Sequence, residues 1–174
     1  MLQQHIRNFT DKVIEALNVG SMEMINLHQD TLTPDFVLLG LLSQEDSLIV
    51  EILETAYPHD LEISQKIIEK IYSLQKEESK FHSSSIGHIQ VPKETEALFK
   101  AAQEQAKTLG DKFIGLEALF LSHFDNNLGR LPALLEEKEI ENPISMKILT
   151  GEFKLGDQIN VTLNRGKYSF SSGK

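Results

Sequence analysis

Cysteine and tryptophan are missing altogether from the 174 residues. Without thiols there is no disulfide framework, no thiolate zinc site, no cysteine nucleophile and no thiol redox chemistry, a usage that fits a reducing compartment. Basic charge is scarce: 17 Lys and Arg against 26 Asp and Glu leave a net charge of -9. The electrostatic attraction that dominates nucleic-acid binding is therefore lacking, and DNA and RNA are set aside as partners. Long apolar runs are also absent. The longest, Phe36 to Leu42, is broken by Gly40 and falls far short of the ~20 residues a membrane helix needs. Met1 to Phe9 mixes Gln, His, Arg and Asn before any apolar stretch, unlike a secretory leader. The expected address is cytoplasmic, with no membrane partner.

What is present is the composition of a globular chain, 40% hydrophobic and 25% charged. At this length folding buries about 70% of the unfolded surface, enough for a core without metals or disulfides. The charge is uneven. Residues 142 to 174 carry Lys147, Lys154, Arg165, Lys167 and Lys174 against Glu152 and Asp157, or +3, which leaves -12 for residues 1 to 141.

The larger part reads as helices in series. Val13, Ile14, Leu17, Met24 and Leu27 recur near the helical period and predict a first helix over Phe9 to Leu27, weakened at Gly20. Thr33-Pro34-Asp35 supplies a hydroxyl cap, a proline at the first helical position and a carboxylate facing the helix's positive end. The second helix runs from there to about Leu42, apolar nearly all round and so buried. Ser47 to Ala56 and Ile63 to Leu74 predict a third and fourth. Residues 77 to 90 turn polar and small, with Ser83-Ser84-Ser85, and read as a linker. Three more helices are expected at Lys93 to Leu109, Leu116 to Phe124 and near Leu131 to Lys138. In the tail, Ile159, Val161 and Leu163 alternate, Asn164-Arg165-Gly166 makes a turn, and Lys167 to Ser171 returns. That is a β-hairpin, which alone is marginal in water.

Catalytic and metal chemistry find little to build on. The six histidines match no standard ligand spacing, and Ser83 to Ser85 beside His82 and His88 lack a rigid element to hold them in register. No Gly-x-x-x-x-Gly-Lys-Ser/Thr loop cradles phosphates, so nucleotide hydrolysis by that mechanism is not expected. No metal, cofactor or catalytic residue is assigned.

A shift of 82 residues lays the chain on itself. Phe9 falls on Val91, Thr10 on Pro92, Leu17 on Phe99, Leu32 on Ile114, Asp35 on Glu117 and Val37 on Leu119. Both copies run a long helix, a polar corner, an apolar residue, a helix start and an acid in its first turn, the signature of a tandem repeat.

These residues resemble the Clp N-terminal domain, the Clp repeat domain of Clp-type AAA+ unfoldases. The resemblance rests on Phe9-Thr10 and Val91-Pro92 at the repeat starts. It rests equally on Thr33-Pro34-Asp35 running into Leu41-Leu42, and on Gly110 to Leu119 in the second copy. Ile148 to Ile159 resembles the end of the second ATPase module of such unfoldases. The implied fold is all-α, a tandem pseudo-twofold repeat of two four-helix units plus a small C-terminal β-hairpin. The expected domains are 1–141 (repeat 1 about 6–76, linker 77–90, repeat 2 about 91–141) and a tail at 142–174.

The resemblance implies a non-catalytic protein-binding module of protein quality control. Its partners would be unfolded or marked protein segments, adaptor proteins and a Clp-type hexamer, with self-association through the hairpin as a further expectation. The residues it points to are Phe9, Thr10, Asp35, Ile86, Ile89, Val91 and Glu117. In some relatives the acids matching Asp35 and Glu117 recognise phosphorylated arginine. Asp35 is a methylene shorter than the usual Glu, and Phe36 and Ala118 stand where the family has His. Ordinary readings stand beside these: two helix-start carboxylates, and apolar residues that seal the repeats together. Two other functions are kept open, a small hydrolase using Asp35 and Glu117, and a regulatory decoy competing for Clp adaptors.

Overall fold

A computed structural model describes residues 7–44, 46–58, 60, 62–79, 89–125, 128–136, 158–164 and 167–173. The chain divides into two compact units, Met1–Leu131 and Pro132–Lys174. The boundary expected at 141/142 lies outside the described residues.

The first unit is helical. Helix α1, Asp11–Asn26, starts at Thr10, whose side chain accepts from the Val13 amide at 3.4 Å, and buries Val13, Ala16, Leu17, Gly20 and Met24. It is followed by His28 at a φ of 56°, a single left-handed residue that turns the chain away. Helix α2, Pro34–Leu42, is buried at every position, as its unbroken apolar run requires. The predicted cap at Thr33 is not made. Its hydroxyl makes no capping bond and is buried without a partner, so Pro34 and Asp35 alone mark this helix start. Helices α3, Leu48–Ala56, and α4, Ile63–Ser79, complete the first repeat. Helix α4 continues past Leu74 through three of the residues expected to begin a linker, because Glu77, Glu78 and Ser79 extend it at little cost in propensity.

Helix α5, Lys93–Leu109, ends on Gly110 at a φ of 83°. Helix α6, Leu116–Leu121, tightens into a 3-10 turn over Ser122–Phe124, and residues 131–136 are helical again. In the second unit, strands β1, Gln158–Asn164, and β2, Lys167–Gly173, form the expected hairpin as a two-stranded antiparallel sheet, with Val161 opposite Phe170; Asn164, expected in the turn, is already paired with Lys167.

The internal repeat appears in the backbone itself. The Ile114 amide donates to the Asn8 carbonyl at 2.7 Å, and 82 residues away in both partners the Leu32 amide donates to the Gln90 carbonyl at 2.8 Å. Each repeat's lead-in strand thus pairs with the other repeat's corner, through parallel bridges Phe9 to Ile114 and Thr31 to Gln90. The symmetry is broken at Pro92. Thr10 donates its amide to the Ile114 carbonyl at 3.0 Å, but its counterpart Pro92 has no N–H. The Leu32 carbonyl is instead satisfied by the Thr95 hydroxyl at 2.7 Å. Thr95 is fully buried and holds the place that Val13 holds in the first repeat, which explains a hydroxyl in the core.

Candidate functional site

The start of α2, the end of α4, the start of α5 and the turn before residue 131 converge on a cleft of about 190 Å³, with Asp35, Gln75, Glu78, Glu94 and Arg130 among its walls. Both repeats contribute. Its floor is Asp35, only 4% exposed. Asp35 Oδ2 accepts from Gln75 Nε2 at 3.0 Å and from Arg130 Nε at 3.2 Å, and the Arg130 backbone N–H adds a further bond.

Gln75 is held in turn. Its Oε1 accepts from Gln29 Nε2 at 3.2 Å, and its Nε2 also donates to Glu78 Oε2 at 3.1 Å. Arg130 reaches past Asp35 to pair with Glu78. Burial pushes the Asp35 carboxyl above its ordinary value, and neither the Arg130 charge nor the Gln75 bond reverses this. The Arg130 guanidinium goes up: burial opposes its charge, but the Glu78 bond and the Asp35 charge outweigh that. Three acids against one guanidinium give the cleft a surplus of negative charge, with exposed Glu94 at its rim.

Behind the cleft lies His123, fully buried. Its Nδ1 faces the Leu119 carbonyl at 3.0 Å and its Nε2 faces the Pro34 carbonyl at 3.2 Å, next to Asp35 in the chain. A neutral imidazole donates to one of the two, and only the cation would donate to both. Burial nevertheless dominates and lowers its pKa below 6.5. The sign of the resulting pH dependence follows. As pH falls below 6.5 the unfolded chain takes up this proton and the native state resists it, so stability is lost from there down to the lowered folded value. The slope is at most about 1.4 kcal/mol per pH unit. Asp35 acts oppositely: between 3.8 and its raised folded value the native state holds the extra proton. Urea midpoints from pH 7.5 to 5.5 are expected to fall for the parent protein and to flatten in His123→Gln; equal slopes would show that His123 does not titrate this way.

The residues singled out from sequence do not gather in one place. Phe9 is 5% exposed and stacks edge-on against Phe99, ring centroids 5.2 Å apart. Thr10 caps α1 and pairs with Ile114, so both sit in the junction between repeats. Val91, next to Gln90 in sequence, is half-buried, and Ile89 is 47% exposed. Ile86 lies outside the described residues. Asp35 forms the cleft floor, whereas Glu117 is exposed and is not part of the cleft wall. The two acids of the hydrolase reading therefore do not both line this cleft. Among the described residues no group of His, Asp or Glu is placed to hold a metal, and no helix is long and apolar enough to cross a membrane.

Sequence reasoning missed Gln75, Glu78, Arg130 and His123. A signal existed for Gln75: Ile63, Ile67, Ile71 and Gln75 follow one another at four-residue spacing and are all buried. A polar residue closing an apolar stripe needs buried partners.

The fold and the reciprocal lead-in pairing define a double-repeat helical domain. Residues 8–138 match the family model of the Clp repeat (R) N-terminal domain, and the chain belongs to that family. Among solved structures it resembles the N-terminal domain of the caseinolytic protease associated chaperone ClpD from Arabidopsis thaliana. The TM-score is 0.51 at 19% identity, over 84% of this chain and 99% of that one. That similarity speaks to fold. No curated protein sequence matches the chain significantly.

Proposed function

We propose that the chain is a non-catalytic protein-binding module of protein quality control, which receives a segment of an unfolded or marked protein, or of an adaptor, in the cleft where the repeats meet. The observation that carries this reading is the cleft itself: walls from both repeats, a fixed polar floor of Asp35, Gln75 and Arg130, and an acidic rim. A polypeptide segment is held by a few anchors rather than by area. Here the surplus of acid favours a Lys or Arg anchor at the rim, with exposed Ile89 and Phe113 as apolar surface on the same unit. The domain would work beside a Clp-type hexamer, either delivering cargo to it or competing for its adaptors.

The test is a titration of labelled, unfolded model polypeptides that differ in Lys and Arg content. Micromolar binding that grows with basic content is expected, weakened about tenfold by Glu94→Lys, a loss of roughly 1.4 kcal/mol, and by high salt. Glu94 is exposed, so its replacement leaves the fold intact. Absence of binding to every polypeptide, or binding indifferent to Glu94, would sink the cleft reading. Added to a working Clp unfoldase, a delivery module accelerates degradation and a decoy inhibits it.

A further inference from the structure

The hairpin and the helical unit each expose an apolar surface of opposite electrostatic setting. In the hairpin, Ile159, Val161 and Leu163 share one face with Phe170, which is paired with Val161. Asn160, Thr162, Ser169 and Ser171 take the other. Val161 is 45% and Leu163 59% exposed. The sheet has two strands, so both its edges are unpaired among the described residues. A lone two-stranded ribbon is marginal in water because its backbone ordering cost is not repaid by one uncovered apolar face.

On the helical unit, Met22 and Ile25 are 64% and 57% exposed, one turn apart on α1. They precede in sequence the residues Asn26 and Leu27 that wall a cleft of about 750 Å³ between the end of α1 and α4, together with His28, Glu69, Tyr72 and Lys76. The charged residues of α1 are Asp11, Lys12, Glu15 and Glu23, and residues 1 to 141 carry -12 against +3 for residues 142 to 174.

We infer that the apolar face of the hairpin docks on the α1–α4 surface of a second copy of this chain, reciprocally, so that two copies exchange tails. Charge complementarity selects this occupant. Tail against tail sets +3 against +3, and body against body sets -12 against -12, whereas the exchange puts each basic tail on an acidic body. Area argues for reciprocity. Seven pairs at about 3.3 Å per residue and two strands about 4.8 Å apart give one face a footprint of roughly 220 Å². A single contact buries roughly twice that, the size of an incidental contact. Two contacts approach the roughly 1,000 Å² of a weak biological interface. The dimer is therefore weak and salt-sensitive.

The absence of cysteine makes the test clean. Ile25→Cys and Leu163→Cys, each at an exposed position, are mixed and oxidised. A disulfide-linked pair containing one chain of each variant is expected, faster than either variant links to itself. In sedimentation equilibrium the parent protein is expected to dimerise, with a dissociation constant raised about tenfold by Leu163→Asp, by Ile25→Asp and by high salt. Three results would overturn the inference. These are Leu163→Cys linking to itself at least as fast as in the mixture, a doubly substituted chain closing only on itself, and a protein monomeric at every concentration. Circular dichroism keeps loss of fold distinct from loss of docking.

Discussion

Gly40→Ala is expected to cost more than 3 kcal/mol, which raises the ratio of unfolded to folded protein by about a hundredfold or more. A Cβ on Gly40 would stand 2.0 Å from the Ala16 carbonyl oxygen and 3.0 Å from the Gly20 amide nitrogen, and one on Gly20 would stand 2.2 Å from the Phe36 oxygen. These neighbours are backbone of the facing helix. They cannot swing aside as a side chain does, so α1 and α2 would have to separate along the interface that buries Val13, Ala16, Leu17 and the whole of α2. Overpacking usually costs about 1–3 kcal/mol where side chains can adjust; with rigid backbone on the other side the upper end is a floor. Against the roughly 5–15 kcal/mol of a typical domain, that is a large share. Gly110→Ala is the control. Gly110 has nothing within 4 Å of its would-be Cβ but a φ of 83°, so its cost is conformational strain alone, about 1–2 kcal/mol. Denaturant midpoints for the two variants are expected to fall in that order, and comparable losses would mean that the α1–α2 approach is looser than these distances.

The same pair of glycines shows where a sequence stops being readable. Helix propensity scores Gly20 as a weak point of α1 by about 1 kcal/mol, and nothing in the one-dimensional pattern says that another glycine, twenty positions on, sits against it. The repeat was legible because it depends on spacing. The alignment of Leu32 with Ile114 reappears as hydrogen bonds related by the same 82 residues, from Leu32 to Gln90 and from Ile114 to Asn8. Helix positions were legible from apolar periodicity and from Pro34 and Pro92. Their ends were less so: Thr33 looks like a cap and is not one, because Pro34 and the buried Asp35 already fix the start of α2.

The cleft was half visible. Asp35 could be singled out by its place in the first turn and by its counterpart Glu117, but the repeat symmetry that suggests pairing them is broken by burial. Asp35 lies beneath α4 and Arg130, while Glu117 faces solvent. The partners of Asp35 come from 40 residues downstream in one repeat, at Gln75, and from a turn in the other, at Arg130. Only the tertiary fold sets that distance. An aromatic at a repeat start is equally suited to line a groove and to seal the junction, and in the fold Phe9 is buried with its ring edge-on to Phe99.

Arg130 bears the second large prediction. Arg130→Met keeps the aliphatic stem and removes the charge, leaving the Asp35 carboxylate at 4% exposure with the Gln75 side chain and one backbone N–H for company. Removing one partner of a fully buried ion pair costs about 3–5 kcal/mol. The Arg130 side chain is 38% exposed and its pairing with Glu78 is screened by solvent, so the expected loss at pH 7.5 is lower, about 2–3 kcal/mol. Its pH dependence identifies the cause. Burial already raises the Asp35 pKa, and without the guanidinium it rises further, so in the variant the native state takes a proton at a pH where the unfolded chain does not. The penalty is present in full above that folded pKa and shrinks as pH falls through it toward 3.8. Parent and variant midpoints should therefore converge as pH is lowered from 7.5 toward 3.8. Adding Asp35→Asn to Arg130→Met should recover much of the loss at pH 7.5, because a neutral amide needs no counter-charge. If the single variant loses stability by the same amount at every pH and the second substitution recovers none of it, Arg130 contributes packing, and the floor of the cleft is not electrostatically balanced in the way its geometry implies.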